Sequence, residues 1–213
     1  MRAIHDQAQH SSAREICVCV DDFGLHKGIN EAILTLVGMG RVQAVSCQVG
    51  GPTWIEGAKQ LCELDSHGVD VGLHLDLTEC PLQPEVRMSL KEVIARAYSV
   101  SLQAALLRRY PGQLPWLRCT RSPQLKAHAD LGTYVKASVI AALGSRGLAK
   151  LAQRHGSAQN ARLLGVYNFS GSTSEYGQRP SRWLKAAESG NLLMCHVGQT
   201  AESLDLHGSC TSQ

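Results

Sequence analysis

Two periods of hydrophobic and polar positions alternate along the first half of the chain. Ile16 to Val20 is a short β-prone run that ends on Asp21 and Asp22. Gly28 to Met39 then sets Ile29, Ala32, Ile33, Leu36 and Val37 at helical spacing, with Gly40 where a helix C-terminus favours glycine. Val42 to Val49 predicts a second strand, broken by Gly50, Gly51 and Pro52. Thr53 is placed to cap a helix carrying Trp54, Ala58, Leu61 and Cys62. After a turn at Asp65 to Gly68, the next stretch alternates strictly. Val69, Val71, Leu73, Leu75 and Leu77 share one face, and Asp70, Gly72, His74 and Asp76 the other.

The second half is less regular. Ser89 and Glu92 have capping-box spacing and open a helix through Tyr98. Leu102 to Tyr110 has a helical pattern that Pro111-Gly112 ends. Trp116 to Cys119 predicts a strand, and Tyr134 to Leu143 and Leu148 to His155 predict helices on either side of Gly144 to Gly147. Leu163 to Phe169 and Leu192 to Cys195 read as buried strands, with a helix over Arg182 to Glu188 between them and Gly190 after it. Strands alternating with helices imply βαβ units and a parallel sheet, in which reactive groups collect at the C-terminal strand ends. Asp21, Asp22, His74 and Asp76 all fall at such ends.

Composition narrows the class. At 44% hydrophobic and 18% charged residues, the chain is expected to fold rather than remain disordered. Its 213 residues are few for an α/β barrel, which typically needs about 250. The net charge of +3 comes from scattered basic residues, which gives no case for a nucleic-acid partner or a membrane surface. Residues 1–15 are polar and read as a flexible N-terminus without a secretory h-region. No apolar run reaches the roughly 18 residues of a membrane span. The expected location is therefore the cytoplasm. Residues 16–198 read as one domain, and the aperiodic tail 199–213 as disordered. Cys17, Cys19, Cys47 and Cys195 lie in apolar runs and no C-x-x-C pair occurs, which favours buried free thiols over a zinc or disulfide framework.

Two adjacent carboxylates after an apolar strand need a cation, a proton or hydrogen bonds. A divalent metal would take one of Asp21 and Asp22 as a ligand and leave the other as a base. The alternative is structural: Asp22 caps the next turn and Asp21 is exposed. His74, on the polar face at a neighbouring strand end, favours the metal. Imidazole with carboxylate suits zinc better than magnesium. Asp22-Phe23-Gly24 also spells a kinase magnesium motif, but no glycine-rich loop or lysine strand precedes it. A receiver domain would need an acceptor aspartate and lysine on later strands, and none fits.

Three ordered blocks carry a family resemblance: V-D-D-F-G-L-H-K-G-I-N-E-A-I-L (Val20 to Leu34), G-R-V-Q-A-V-S-C-Q-V-G-G-P (Gly40 to Pro52) and D-V-G-L-H-L-D-L-T-E (Asp70 to Glu79). Together they resemble the YdjC-like carbohydrate deacetylases, the ChbG/HpnK group. L-P-W-L-R-C-T-R-S-P (Leu114 to Pro123) and L-L-M-C-H (Leu192 to His196) resemble in particular its hopanoid-biosynthesis-associated branch. The resemblance implies a distorted or incomplete (β/α) barrel of the polysaccharide-deacetylase type. It implies metal-dependent removal of acetyl from an N-acetylated sugar or glycosylated hopanoid, with zinc or magnesium as cofactor, and it admits a homodimer. By the same resemblance Asp21 is the general base, Asp22 and His74 are metal ligands, His196 is the catalytic acid or a hydrogen-bond donor, and Arg118 orients Asp21.

The chain also departs from that family. A block resembling D-G-H-Q-H-V-H, which carries a third ligand, is expected between Tyr98 and Leu114 and does not occur there. The reading is that a strand and its metal ligand have been deleted. Val197 stands where the family has proline, and the tail resembles a shifted frame or truncated gene more than the family's last helix. His26 and His128 are the candidate substitute ligands, against an ordinary loop or surface role for each. Two functional readings follow: an N-deacetylase, and a catalytically impaired remnant that binds a sugar or a partner.

Overall fold

The computed structural model of the protein describes residues 13–64, 68–98, 116–121, 131–142, 145–167 and 173–198. The turn at Asp65, the predicted helix at Leu102 to Tyr110, His128 and the tail lie outside them.

Strand β1 (Cys17–Phe23) leads to helix α1 (Lys27–Gly38), β2 (Ala44–Cys47), α2 (Trp54–Glu63) and β3 (Asp70–Leu73). A short 3₁₀ turn at Pro84–Val86 precedes α3 (Leu90–Tyr98), followed by β4 (Trp116–Leu117), α4 (Leu131–Ala142) and α5 (Ser145–Arg154). The chain continues through β5 (Ala158–Gln159), β6 (Leu163–Leu164), α6 (Thr173–Ala186) and β7 (Leu192–Cys195). Five strands form one sheet in the order β3-β2-β1-β7-β6, and β4 pairs with β5. Every pairing is parallel, as the alternation of strands and helices implies.

Apolar packing covers this sheet from both sides. Val20, Phe23 and Val45 pack with Ile29, Ile33 and Val37 of α1 and Leu61 of α2. Trp183 of α6 joins Leu164, Tyr167 and Leu193. Cys19, Ala44, Leu163 and Leu192, alternate to those positions along their strands, gather Ala137 of α4 and Trp116.

Closure into a barrel is not formed among the described residues, where β3 and β6 are the edges of the larger sheet. The β4–β5 pair is tied across by other means. The Trp116 indole N–H donates to Asp70 Oδ2 at 2.8 Å, and the Leu163 N–H donates to the Arg121 carbonyl at 2.7 Å. Asn160 accepts from the Cys119 N–H at 2.7 Å and donates to the carbonyls of Cys119 and Arg162. The alternation along Val69 to Leu77 therefore buries less than its pattern promises. All four residues of β3 are exposed, with Leu73 at 57%, because none of them joins the apolar clusters that cover the other strands.

Several boundaries differ from the periodic reading for local reasons. The capping box is formed as read: the Ser89 N–H donates to Glu92 Oε2 at 2.8 Å, and the Glu92 N–H to Ser89 Oγ at 3.3 Å. Thr53 precedes α2 but makes no side-chain cap; its hydroxyl bonds elsewhere, as described below. Helix α6 begins at Thr173, nine positions before the predicted start at Arg182, and runs through Pro180. Helix α5 starts at Ser145 rather than Leu148, its buried Ser145 hydroxyl donating to the Ala141 carbonyl. Cys17, Cys19, Cys47 and Cys195 are free thiols, whereas Cys80 is disulfide-bonded.

Candidate functional site at the carboxyl ends of the strands

Strand β1 carries an irregularity at its functional end. Val20 pairs with Val45 and Phe23 with Cys47, so β1 spends one more residue than β2 over the interval that holds Asp21 and Asp22. Such a bulge re-aims side chains. Asp22 has φ +70°, the only non-glycine positive φ among the described residues. Aspartate is one of the few residues that take this conformation readily. The strand thus runs on through both aspartates to Phe23 instead of stopping before them.

The two carboxylates have different surroundings. Asp21 is 2% exposed and accepts two hydrogen bonds of 2.6 Å from Arg118, one to each oxygen. Arg118 also reaches Cys19 Sγ at 3.0 Å. Burial alone would lower the Arg118 pKa, but its bonds to Asp21 more than compensate and hold the guanidinium charged. Asp22 accepts from Gln48 Nε2 at 3.0 Å on Oδ1. His74 Nδ1 lies 3.5 Å from that same oxygen, and His196 Nε2 lies 3.8 Å from Oδ2. The structural alternative holds only in part: the Asp22 carbonyl accepts from the Leu25 N–H at 3.1 Å and so opens the next turn, but Asp21 is buried, and the side-chain cap of α1 is His26, whose Nδ1 accepts from the Gly28 N–H at 3.1 Å. That bond commits His26 Nδ1 to the helix.

Each of these groups stands at or just past the end of a parallel strand. Gln48 follows β2, His74 follows β3, Arg118 follows β4 and His196 follows β7. The His74 N–H is fixed by the Cys47 carbonyl at 2.9 Å. The His196 ring meets Tyr167 edge-on at 5.8 Å, and the Tyr176 hydroxyl donates to the His196 carbonyl. Burial pushes the His196 pKa below its ordinary value, against the pull of Asp22 and Asp21. Asp76, the remaining strand-end acid, anchors the following loop. Its carboxylate accepts from the N–H groups of Thr78, Glu79 and Cys80 and from the Thr78 hydroxyl. Burial raises its pKa, but those donors together bring it below the ordinary value.

Cys19, Cys47 and Cys195 do not offer nucleophiles. Burial pushes the first two to about 12 and Cys195 to about 11, so all three are neutral thiols near pH 7. The acid–base groups available at the strand ends are carboxylate and imidazole.

A divalent cation is tested by the donors present. Buried His74 Nδ1 has no hydrogen-bond partner among the described residues and sits opposite the Asp22 carboxylate. That is the arrangement a ligand pair would show, and in type it suits zinc. Among the described residues, no group of three or more His, Cys, Asp or Glu side chains is arranged to hold a metal. Asp22 and His74 fit as a two-donor pair.

Comparison with known proteins agrees with this architecture. Residues 15–97 match the family model described as YdjC-like protein. This stretch holds Asp21, Asp22, Gln48 and His74, while Arg118 and His196 lie beyond it. The chain also resembles the crystal structure of an Enterococcus faecalis V583 protein described as a "putative cellobiose-phosphate cleavage protein". The TM-score is 0.50 at 14% identity, covering 88% of this chain and 82% of that one. At that identity the likeness concerns the fold. No curated protein matches the chain. No helix among the described residues is long and apolar enough to cross a membrane.

Gln48 is the functional candidate that the sequence reading missed. Glutamine carries no charge and no motif value, so nothing in its type drew attention. The predicted strand ran to Val49 and kept Gln48 inside it, whereas β2 ends at Cys47 and Gln48 is the first residue after it, just as His74 is the first after β3.

Proposed function

We propose that the protein removes the acetyl group from an N-acetylated sugar by metal-assisted amide hydrolysis. The observation that carries this reading is the convergence on Asp22: His74 Nδ1 at 3.5 Å from one oxygen and His196 Nε2 at 3.8 Å from the other, beside the clamped Asp21. Asp22 and His74 would hold a divalent cation, zinc or magnesium, which polarises the amide carbonyl and makes water more acidic.

The chain's own groups supply the proton transfers. Asp21 takes the proton of the attacking water. Arg118 donates to both Asp21 oxygens and fixes the carboxylate plane; the Cys19 thiol also donates to Oδ1 at 3.7 Å, so Oδ2 takes that proton. His196 delivers a proton to the leaving nitrogen, without which an amine anion would have to depart. Its main chain is held by Tyr176 and its ring by Tyr167, so the imidazole keeps one orientation.

The family resemblance supports the sugar as the acyl carrier, including the glycosylated-hopanoid class. The exposed β3 edge supports the reading that a neighbouring strand, with a third ligand, has been lost. Two ligands imply weaker cation binding, so activity is expected to depend on added metal. Purified protein should release acetate from N-acetylglucosamine oligomers or an N-acetylated glycolipid in the presence of zinc. His74→Ala should lower that rate at least 10–100-fold, the usual cost of disturbing a metal's surroundings. Acetate release no faster than in the His74→Ala protein would refute the enzyme reading and leave the sugar-binding one.

A further inference from the structure

We propose that Gln48 is a positioning residue that orients the Asp22 carboxylate to receive a divalent cation; this rests on Asp22 and His74 being the cation's donors. Gln48 Nε2 donates to Asp22 Oδ1 at 3.0 Å. An amide orients a carboxylate without neutralising it, unlike the guanidinium on Asp21, so the charge of Asp22 stays available to a cation. The bond uses one lone pair of Oδ1, the oxygen that also lies 3.5 Å from His74 Nδ1, and makes no contact with Oδ2.

Gln48 can do this because its backbone is pinned to the end of β1. Its N–H donates to the Phe23 carbonyl at 2.7 Å, and its carbonyl accepts from the Gly51 N–H at 3.0 Å. Buried Asn30 locks the adjoining segment: its Oδ1 accepts from the Gly24 N–H at 2.7 Å, and its Nδ2 donates to the Thr53 carbonyl and hydroxyl at 3.1 Å. The Thr53 hydroxyl donates to the Gly24 carbonyl at 2.9 Å. These approaches require glycine. A Cβ at Gly24, where φ is +101°, would lie 2.6 Å from the Gln48 carbonyl oxygen, and one at Gly51 would lie 2.2 Å from that of Gly24. The unusual backbone of Asp22 is thus held on its C-terminal side by Gly24, Asn30 and Thr53, and its carboxylate by Gln48.

The test uses the full chain, stripped of metal, with zinc affinity read by competition with a chromophoric chelator and ligand geometry read from the visible spectrum of bound cobalt(II). Gln48→Leu should weaken zinc by about 10–100-fold and change the cobalt bands, with the metal-free melting temperature unchanged. Gln48→Met, closer in shape, serves if the leucine variant folds poorly. Wild-type zinc affinity and an unchanged cobalt spectrum in a folded variant would overturn the role of Gln48 alone. A wild-type protein that binds no zinc would instead overturn the Asp22–His74 pair, and this inference with it.

Discussion

Asp21→Asn is expected to lower the turnover of acetate release by about 10²–10⁴-fold, the range for loss of a general base, with little change in KM. The substitution keeps the shape of the side chain and one acceptor oxygen but removes the charge and the basic site. A general base that acts on water in the transition state would cost kcat rather than KM when lost. Steady-state kinetics on the folded variant checks this. A loss confined to KM would move Asp21 from chemistry to substrate binding.

Arg118→Met should have the largest effect on stability. It leaves the carboxylate of Asp21, 2% exposed, without the two 2.6 Å bonds that compensate its burial. Removing one partner of a buried pair costs about 3–5 kcal/mol. For a domain of this size that corresponds to a fall in Tm of about 6–20 °C. Urea melts of Arg118→Met, Asp21→Leu and the double variant form a cycle that isolates the coupling. The double variant should recover much of the loss, since two apolar side chains leave no stranded charge. A double variant as unstable as the sum of the singles would mean that the pair contributes little.

How much was visible in the sequence follows from which interactions are local. Helix α1 with Gly40 behind it, and the Ser89–Glu92 box, are set by residues a few positions apart, so periodicity and capping chemistry located them. Asp21, Asp22 and His74 could be placed at strand ends because a parallel sheet brings those ends together. The bulge that separates the two aspartates depends on the register between β1 and β2, which no single segment specifies. Thr53 has the right type and position for a helix cap, but the hydroxyl is taken by Gly24 and Asn30 across the loop. Helix α6 continues through Pro180 because Tyr176 and Trp183, on either side of it, both pack onto the β6–β7 side of the sheet. Strand β5, two residues long, is too short for any periodicity to show. The exposure of β3 likewise depends on what packs over its faces, not on its own alternation.

The central claim is that Asp22 and His74 hold a divalent cation at the ends of β1 and β3. Crystals of the wild-type protein grown with zinc and measured on both sides of the zinc absorption edge test it most directly. The account predicts an anomalous peak between Asp22 and His74 Nδ1, about 2.0–2.2 Å from a carboxylate oxygen and from the imidazole nitrogen. A zinc peak elsewhere, with Asp22 and His74 left uncoordinated, would contradict it.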